Sequence, residues 1–246
     1  MIANKEQFDR FIDILPDLEK DEVYFVSLSA RNKYLTEDER KEFSLGRTEM
    51  FSREIARDKS GLYYVMNKLK ASLEYRRTKN GKEIPSKSLV VYANINPSST
   101  IKAYQSFKQE MDKQIDNILD TFLNARTPNF EGMQRINREL MNSIQKSRAR
   151  KYFIDIDVDL VDRNLDPMGD IEDIDNFLKE NNSKYYKIKT FSGYHFLIKK
   201  DTIPDMLYRY IDSKRYSVYI KDINFNKNEM IPVPGTLQAN KLVRFI

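Results

Sequence analysis

The sequence predicts an α+β chain in which a helix-rich first half is followed by a strand-rich second half. Three observations predict it. Before residue 150, long segments repeat their apolar residues at helical spacing, with two strand-like runs among them. From Tyr152 onward, short runs alternate apolar with polar residues and are separated by turn residues. Charge is segregated: nine acids stand between Asp155 and Asp175 against Arg163 alone, while residues 67–88 and 135–151 are strongly basic.

The elements follow in order. Phe8, Phe11, Ile12 and Leu15 fall on one helical face before Pro16, so residues 4–15 read as an amphipathic helix. Val23-Tyr24-Phe25-Val26-Ser27-Leu28 reads as a strand. Residues 37–57 and 62–77 read as helices, the second ending before Lys79-Asn80-Gly81-Lys82, whose Asn-Gly pair tolerates positive φ. Leu89 to Asn94 is a β-branched, Tyr-containing strand. It runs into Asn96-Pro97-Ser98-Ser99, good N-cap chemistry for a helix over 100–124, and a further helix covers 130–148. The second half predicts strands over 152–158, 185–189, 194–198, 217–223, 230–233 and 242–246, with one helix over 170–180. No Gly/Ser/Pro linker and no internal repeat interrupts the chain, so residues 1–150 and 151–246 are expected as two αβ lobes of one continuous domain.

Composition narrows the function classes. The chain has 246 residues, 40% hydrophobic and 32% charged, with a net charge of +5 and a mean hydropathy of −0.66. Its apolar runs are far shorter than a membrane span, so no membrane partner is expected. Zero cysteines exclude disulfides and thiolate metal sites, and one histidine argues against a His-rich zinc site. Any metal must therefore be held mainly by carboxylates. The first residues, Met1-Ile2-Ala3-Asn4-Lys5-Glu6, lack an apolar signal core, which points to a cytoplasm, a host's if the chain is viral.

The chemistry concentrates in Tyr152-Phe153-Ile154-Asp155-Ile156-Asp157-Val158-Asp159. In a strand, Ile154, Ile156 and Val158 face one side while Asp155, Asp157 and Asp159 face the other. Three same-face carboxylates repel one another, so a bound divalent cation is the simplest compensation; the bland alternative is a solvent-facing polar strand. The single histidine lies in Lys189-Thr190-Phe191-Ser192-Gly193-Tyr194-His195, where a tight turn brings hydroxyl, backbone N–H groups and imidazole within reach of one anion. The bland alternative is a hydrogen-bonded structural histidine. Asp222 stands in a third strand-like stretch, before Val233-Pro234-Gly235-Thr236.

These three elements, in this order, resemble the archaeo-eukaryotic primase superfamily, in the primase-polymerases of phages and plasmids. Ile154-Asp155-Ile156-Asp157 matches the family's hydrophobic-Asp-hydrophobic-Asp strand, Ser192-Gly193-Tyr194-His195 its Ser-to-His turn, and Asp222 followed by Pro234-Gly235-Thr236 its third motif. The resemblance covers residues 152–246. Two departures stand out: the Ser-to-His spacing is one residue longer than the tightest form, and the arginines that often precede the third motif's loop are missing.

The resemblance implies a two-lobed primase-polymerase catalytic fold, a helix-rich N-terminal αβ lobe beside a strand-rich RRM-like one. It implies catalytic acids Asp155, Asp157 and Asp222 holding two Mg²⁺ or Mn²⁺ ions, and nucleotide phosphates held by Ser192, Gly193 and His195, with Lys189, Lys241 and Arg244 as the nearest basic residues. Its substrates would be nucleoside triphosphates, NTP or dNTP, joined on a single-stranded DNA template, with a separate helicase or replisome protein as partner. The basic segments supply candidate nucleic-acid contacts in Arg135, Arg138, Lys146, Arg76 and Arg77. Two rivals stay open. One is a metal-dependent nuclease or phosphohydrolase using the same acids. The other is a non-catalytic single-strand-binding module that stacks bases on Tyr185, Tyr186 and Tyr194.

Overall fold

The computed structural model describes all residues except 73–80, 125–126, 128–129, 131–133, 162–167, 216, 218–219 and 227–228. Helix α1 (Lys5–Ile14) begins where Asn4 Oδ1 accepts the Gln7 N–H at 3.0 Å. Strand β1 (Glu22–Arg31) then pairs antiparallel with β2 (Thr48–Ala56) on one side and with β3 (Leu89–Asn94) on the other. Between β1 and β2 stands the short helix α2 (Glu37–Phe43), closed by a capping box of Thr36 and Glu39.

The expected helix over 37–57 is therefore corrected: it ends at Phe43, and Thr48–Ala56 is a strand. Ser44 takes a left-handed conformation (φ 48°) that stops the helix, and the open edge of β1 then captures the following residues. An eight-pair register with β1 outweighs the helix preference of Glu49 and Met50, which Thr48 and Phe51 do not share.

Helix α3 (Gly61–Ala71) covers the first part of the segment expected over 62–77, whose residues from 73 on lie outside the described residues. Strand β4 (Ser98–Ser99) leads into α4 (Thr100–Leu123), where Ser99 Oγ accepts the Lys102 N–H at 3.2 Å. Helix α5 (Ile136–Lys146) packs beside it.

The second half supplies β5 (Phe153–Leu160), α6 (Met168–Glu180), β6 (Tyr185–Lys189), β7 (Gly193–Lys199), α7 (Leu207–Lys214), β8 (Ile220–Phe225), β9 (Met230–Pro232), β10 (Leu237–Gln238), β11 (Lys241–Leu242) and β12 (Arg244–Phe245). Helix α7 escaped the sequence reading because its eight residues bury only Leu207 and Ile211, too few to show a period. The strand expected over 242–246 is split into β11 and β12.

Among the described residues two five-stranded antiparallel sheets result, with β10 and β11 forming a separate two-stranded one. The first has the order β2-β1-β3-β9, with β4 also on β1; the second is β12-β6-β7-β5-β8. Strand β9 comes from the second half but pairs with β3, so the first sheet draws on both halves of the chain. The period-2 alternation splits the second sheet cleanly. Ile156, Val158, Phe196 and Ile198 pack under α6 and α7, while Phe153, Leu197, Ile188 and Phe245 join Phe8, Tyr24, Val91 and Ile231 in one cluster that spans both sheets and α1. The architecture is thus α+β with antiparallel sheets, and no described helix is long and apolar enough to cross a membrane.

Candidate functional site

Strand β5 is flanked by β7 and β8, and its register decides what gathers around the acids. Across β7, Asp157 faces His195 and Asp159 faces Gly193; across β8, Asp157 faces Asn224 and Asp159 faces Asp222. The close approach of β7 requires a glycine. A methyl group at Gly193 would lie 1.7 Å from the Val158 carbonyl oxygen, so this position serves the strand contact first.

His195 sits between two carboxylates. Its Nδ1 is 2.9 and 3.1 Å from the two oxygens of Asp155, and its Nε2 is 3.6 Å from Asp157. The Asn226 amide donates to the same Asp155 oxygen at 2.8 Å, and its backbone N–H donates to the Asp155 carbonyl at 2.9 Å. Burial opposes charge on the imidazole, but Asp155 and then Asp157 outweigh it, and its pKa is pushed up to about 9. His195 is accordingly an imidazolium at neutral pH, its Nδ1 donating to Asp155 while its Nε2 stands beyond hydrogen-bond distance of Asp157. Burial raises the Asp157 carboxyl above the ordinary range; the His195 charge works against this rise, while Asp155 and Asp159 add to it.

Asp155 and Asp157 therefore differ. The Asp155 side chain is fully buried and committed to His195 and Asn226, whereas Asp157 is 42% exposed and opens, with Asp159, into a cleft of about 360 Å³ between the two sheets. Asp222 stands opposite Asp159 but is exposed outside that cleft. The opposite wall is the polar end of the first sheet: Ser27, Ser29 and Arg31 on β1, Thr48 and Met50 on β2, and Tyr92 on β3, with Lys33 just beyond β1. The Lys33 charge reaches Asp157 and, after His195, opposes a small part of the rise that burial causes.

A hydrogen-bond relay joins the walls. The Phe191 N–H donates to Gln238 Oε1 at 2.8 Å, and Gln238 Nε2 donates to the Tyr34 hydroxyl at 2.6 Å. The Tyr34 ring also meets the Phe191 ring edge-on, with centres 5.4 Å apart, and Arg31 Nη1 donates to the Tyr92 hydroxyl at 2.8 Å. The turn that carries Ser192 is thereby tied to β1 across the cleft.

The other sequence candidates separate. Ser192 and His195 line the cleft with Asp157. Lys189 and Arg244 face each other in register with Tyr194, on the opposite side of the sheet from His195, and the Lys189 ammonium lies 5.3 Å from the Tyr194 ring centre. Lys241 covers the Phe191 ring at 5.5 Å, beside Gln238. Arg135, Arg138 and Lys146 are exposed along α5, whose Gln145 reaches the cleft, and Arg76 and Arg77 lie outside the described residues. Tyr194 is 3% exposed, and Tyr185 and Tyr186 pack against Phe196 and Phe153, so these tyrosines present no open stacking platform.

Sequence reasoning placed Asp159 on the acidic face without counting it among the site residues and did not single out Asn226, Arg31, Lys33 or Gln238. Asp159 was legible in the same alternation as Asp157; the others come from distant segments and carry no local signal. Comparison of the chain with protein-family models, curated proteins and solved structures returned no match.

Proposed function

We propose that the protein is a DNA primase-polymerase that joins nucleoside triphosphates on a single-stranded DNA template by metal-dependent nucleotidyl transfer, on a two-lobed catalytic fold. One observation carries this reading: an open carboxylate pair, Asp157 and Asp159, backed by the charged His195, faces a wall of basic and hydroxyl side chains across a cleft. Acids on one wall suit divalent ions, and cations with hydroxyls on the other suit phosphates.

The donor set fits Mg²⁺ or Mn²⁺. Among the described residues, no three carboxylate or imidazole groups converge into a ready cage. Mg²⁺ characteristically takes one or two carboxylates and completes its shell with water and substrate phosphates, and Asp157 with Asp159 supplies that pair. Asp222, across from Asp159, is the further acid of the reading, while Asp155 is assigned to holding His195. When bound, the ions would activate the attacking 3′-oxygen and neutralise the leaving pyrophosphate. The chain's own part is positioning. Asp155 and Asn226 fix the imidazolium, His195 offsets the charge of Asp157, and the Ser192 turn borders the space left for the nucleotide.

The test is to incubate the protein with unprimed single-stranded DNA, Mg²⁺ or Mn²⁺ and labelled nucleotides. Short new oligomers support the reading. A shortened template without synthesis replaces it with the nuclease, and template binding alone replaces it with a binding module.

A further inference from the structure

Arg31 has an incomplete set of partners. Its Nη1 donates to Tyr92, yet its Nε lies buried with no hydrogen-bond partner, and no carboxylate pairs with its guanidinium among the described residues. A guanidinium stays charged at any working pH, so a buried donor without an acceptor is unfavourable unless a ligand completes it. Ser27 and Ser29, four and two residues earlier on the same face of β1, bring hydroxyls to the same cleft and are 1% and 2% exposed.

We propose that Arg31, with the Ser27 and Ser29 hydroxyls, is a phosphate seat that receives the tail of a nucleoside triphosphate. The proposal rests on the nucleotide-joining reading and adds where the tail lies: against the first sheet, facing Asp157 and Asp159. The fork of Arg31 matches phosphoryl oxygens, and its Nη1 bond to the Tyr92 hydroxyl holds it in place. A phosphodiester would offer the same oxygens. The almost fully buried serines favour a terminal group, because a continuing backbone must leave the cleft at both ends.

The test is equilibrium binding of a labelled nucleoside triphosphate in Mg²⁺, with inorganic tripolyphosphate as competitor and single-stranded DNA titrated separately, for wild type, Arg31→Gln and Arg31→Lys. The expected result is that tripolyphosphate competes and Arg31→Gln weakens nucleotide binding roughly ten- to a hundredfold. Arg31→Lys should fall between, and DNA affinity should hold. Unchanged nucleotide affinity in Arg31→Gln overturns the seat. Loss of DNA affinity with nucleotide binding intact assigns Arg31 to the template backbone and overturns it too, as does a wild type that binds no nucleotide. Melting curves check folding, and if both Arg31 variants unfold, Ser29→Ala must show the weakened nucleotide binding or the seat is overturned. A protein that binds the triphosphate through Arg31 but makes no new strand keeps the seat and loses the polymerase reading.

Discussion

At the scale of single residues, the three aspartates of β5 share a face but not a role. Asp157→Asn and Asp159→Asn should each abolish strand synthesis and leave the melting temperature unchanged or slightly higher, because removing one charge relieves the crowding. Synthesis retained in both variants would remove the metal assignment. Asp155 behaves oppositely. The sequence alone suggests that its loss also relieves repulsion, but its carboxylate is the counter-charge of a buried imidazolium. Asp155→Ala should therefore lower stability by about 3 to 5 kcal/mol, the range for breaking one side of a buried ion pair. Calorimetry decides this: an unchanged melting temperature with lost activity would return Asp155 to the metal ligands.

At the scale of elements, helix α6 is fastened to the second sheet by Asp175. Its carboxylate accepts from Tyr185 at 2.6 Å and from Lys187 at 2.8 Å. Burial pushes the Asp175 carboxyl up, but the Lys187 and Tyr185 hydrogen bonds outweigh it and hold the pKa below the ordinary carboxylate range. A folded-state pKa that is lowered contributes stability that is present above the unfolded value of about 3.9 and is lost as pH falls through the lower folded value. Asp175→Asn is thus expected to melt below wild type at pH 7, by about 1 to 3 kcal/mol. The gap should close in strong acid. A gap that persists at low pH would mean that shape rather than charge is what Asp175 supplies.

At the scale of the whole molecule, the two halves of the sequence do not make separate cores. Phe8, Tyr24 and Val91 pack in one cluster with Phe153, Leu197, Ile231 and Phe245. Arg150 forks onto the nearly buried Glu22 with two contacts of 2.6 Å. The full chain should therefore melt in one cooperative transition, and residues 151–246 expressed alone should show none; two resolved transitions in the full chain would contradict the shared core. The template path is also a property of the whole surface. Arg138 lies beside Arg53 of β2, whose guanidinium donates to the Arg138 carbonyl at 3.2 Å. Neutralising Arg135, Arg138 and Lys146 together should reduce the slope of log affinity against log salt for single-stranded DNA by about 2, at roughly 0.7 per phosphate contact. An unchanged slope would show that this helix face is only solvated.

The sequence by itself determined what is written in local periodicity: the edges of β3 and β6, the Ser99 cap of α4, the alternation that gives β5 an apolar and an acidic face, and the carboxylate character of any metal site in a chain without cysteine. It did not determine β2, since a free strand edge on β1 selects that conformation from outside the segment. Nor did it separate Asp155 from Asp157. Both occupy equivalent places in the pattern, and only the register of β7, with Asn226 brought in beside β8, buries one against His195 and leaves the other facing the cleft. Arg31 and Lys33 enter the site for the same reason: residues more than a hundred positions from the acids meet them only when two sheets stack, a contact that no local spacing encodes.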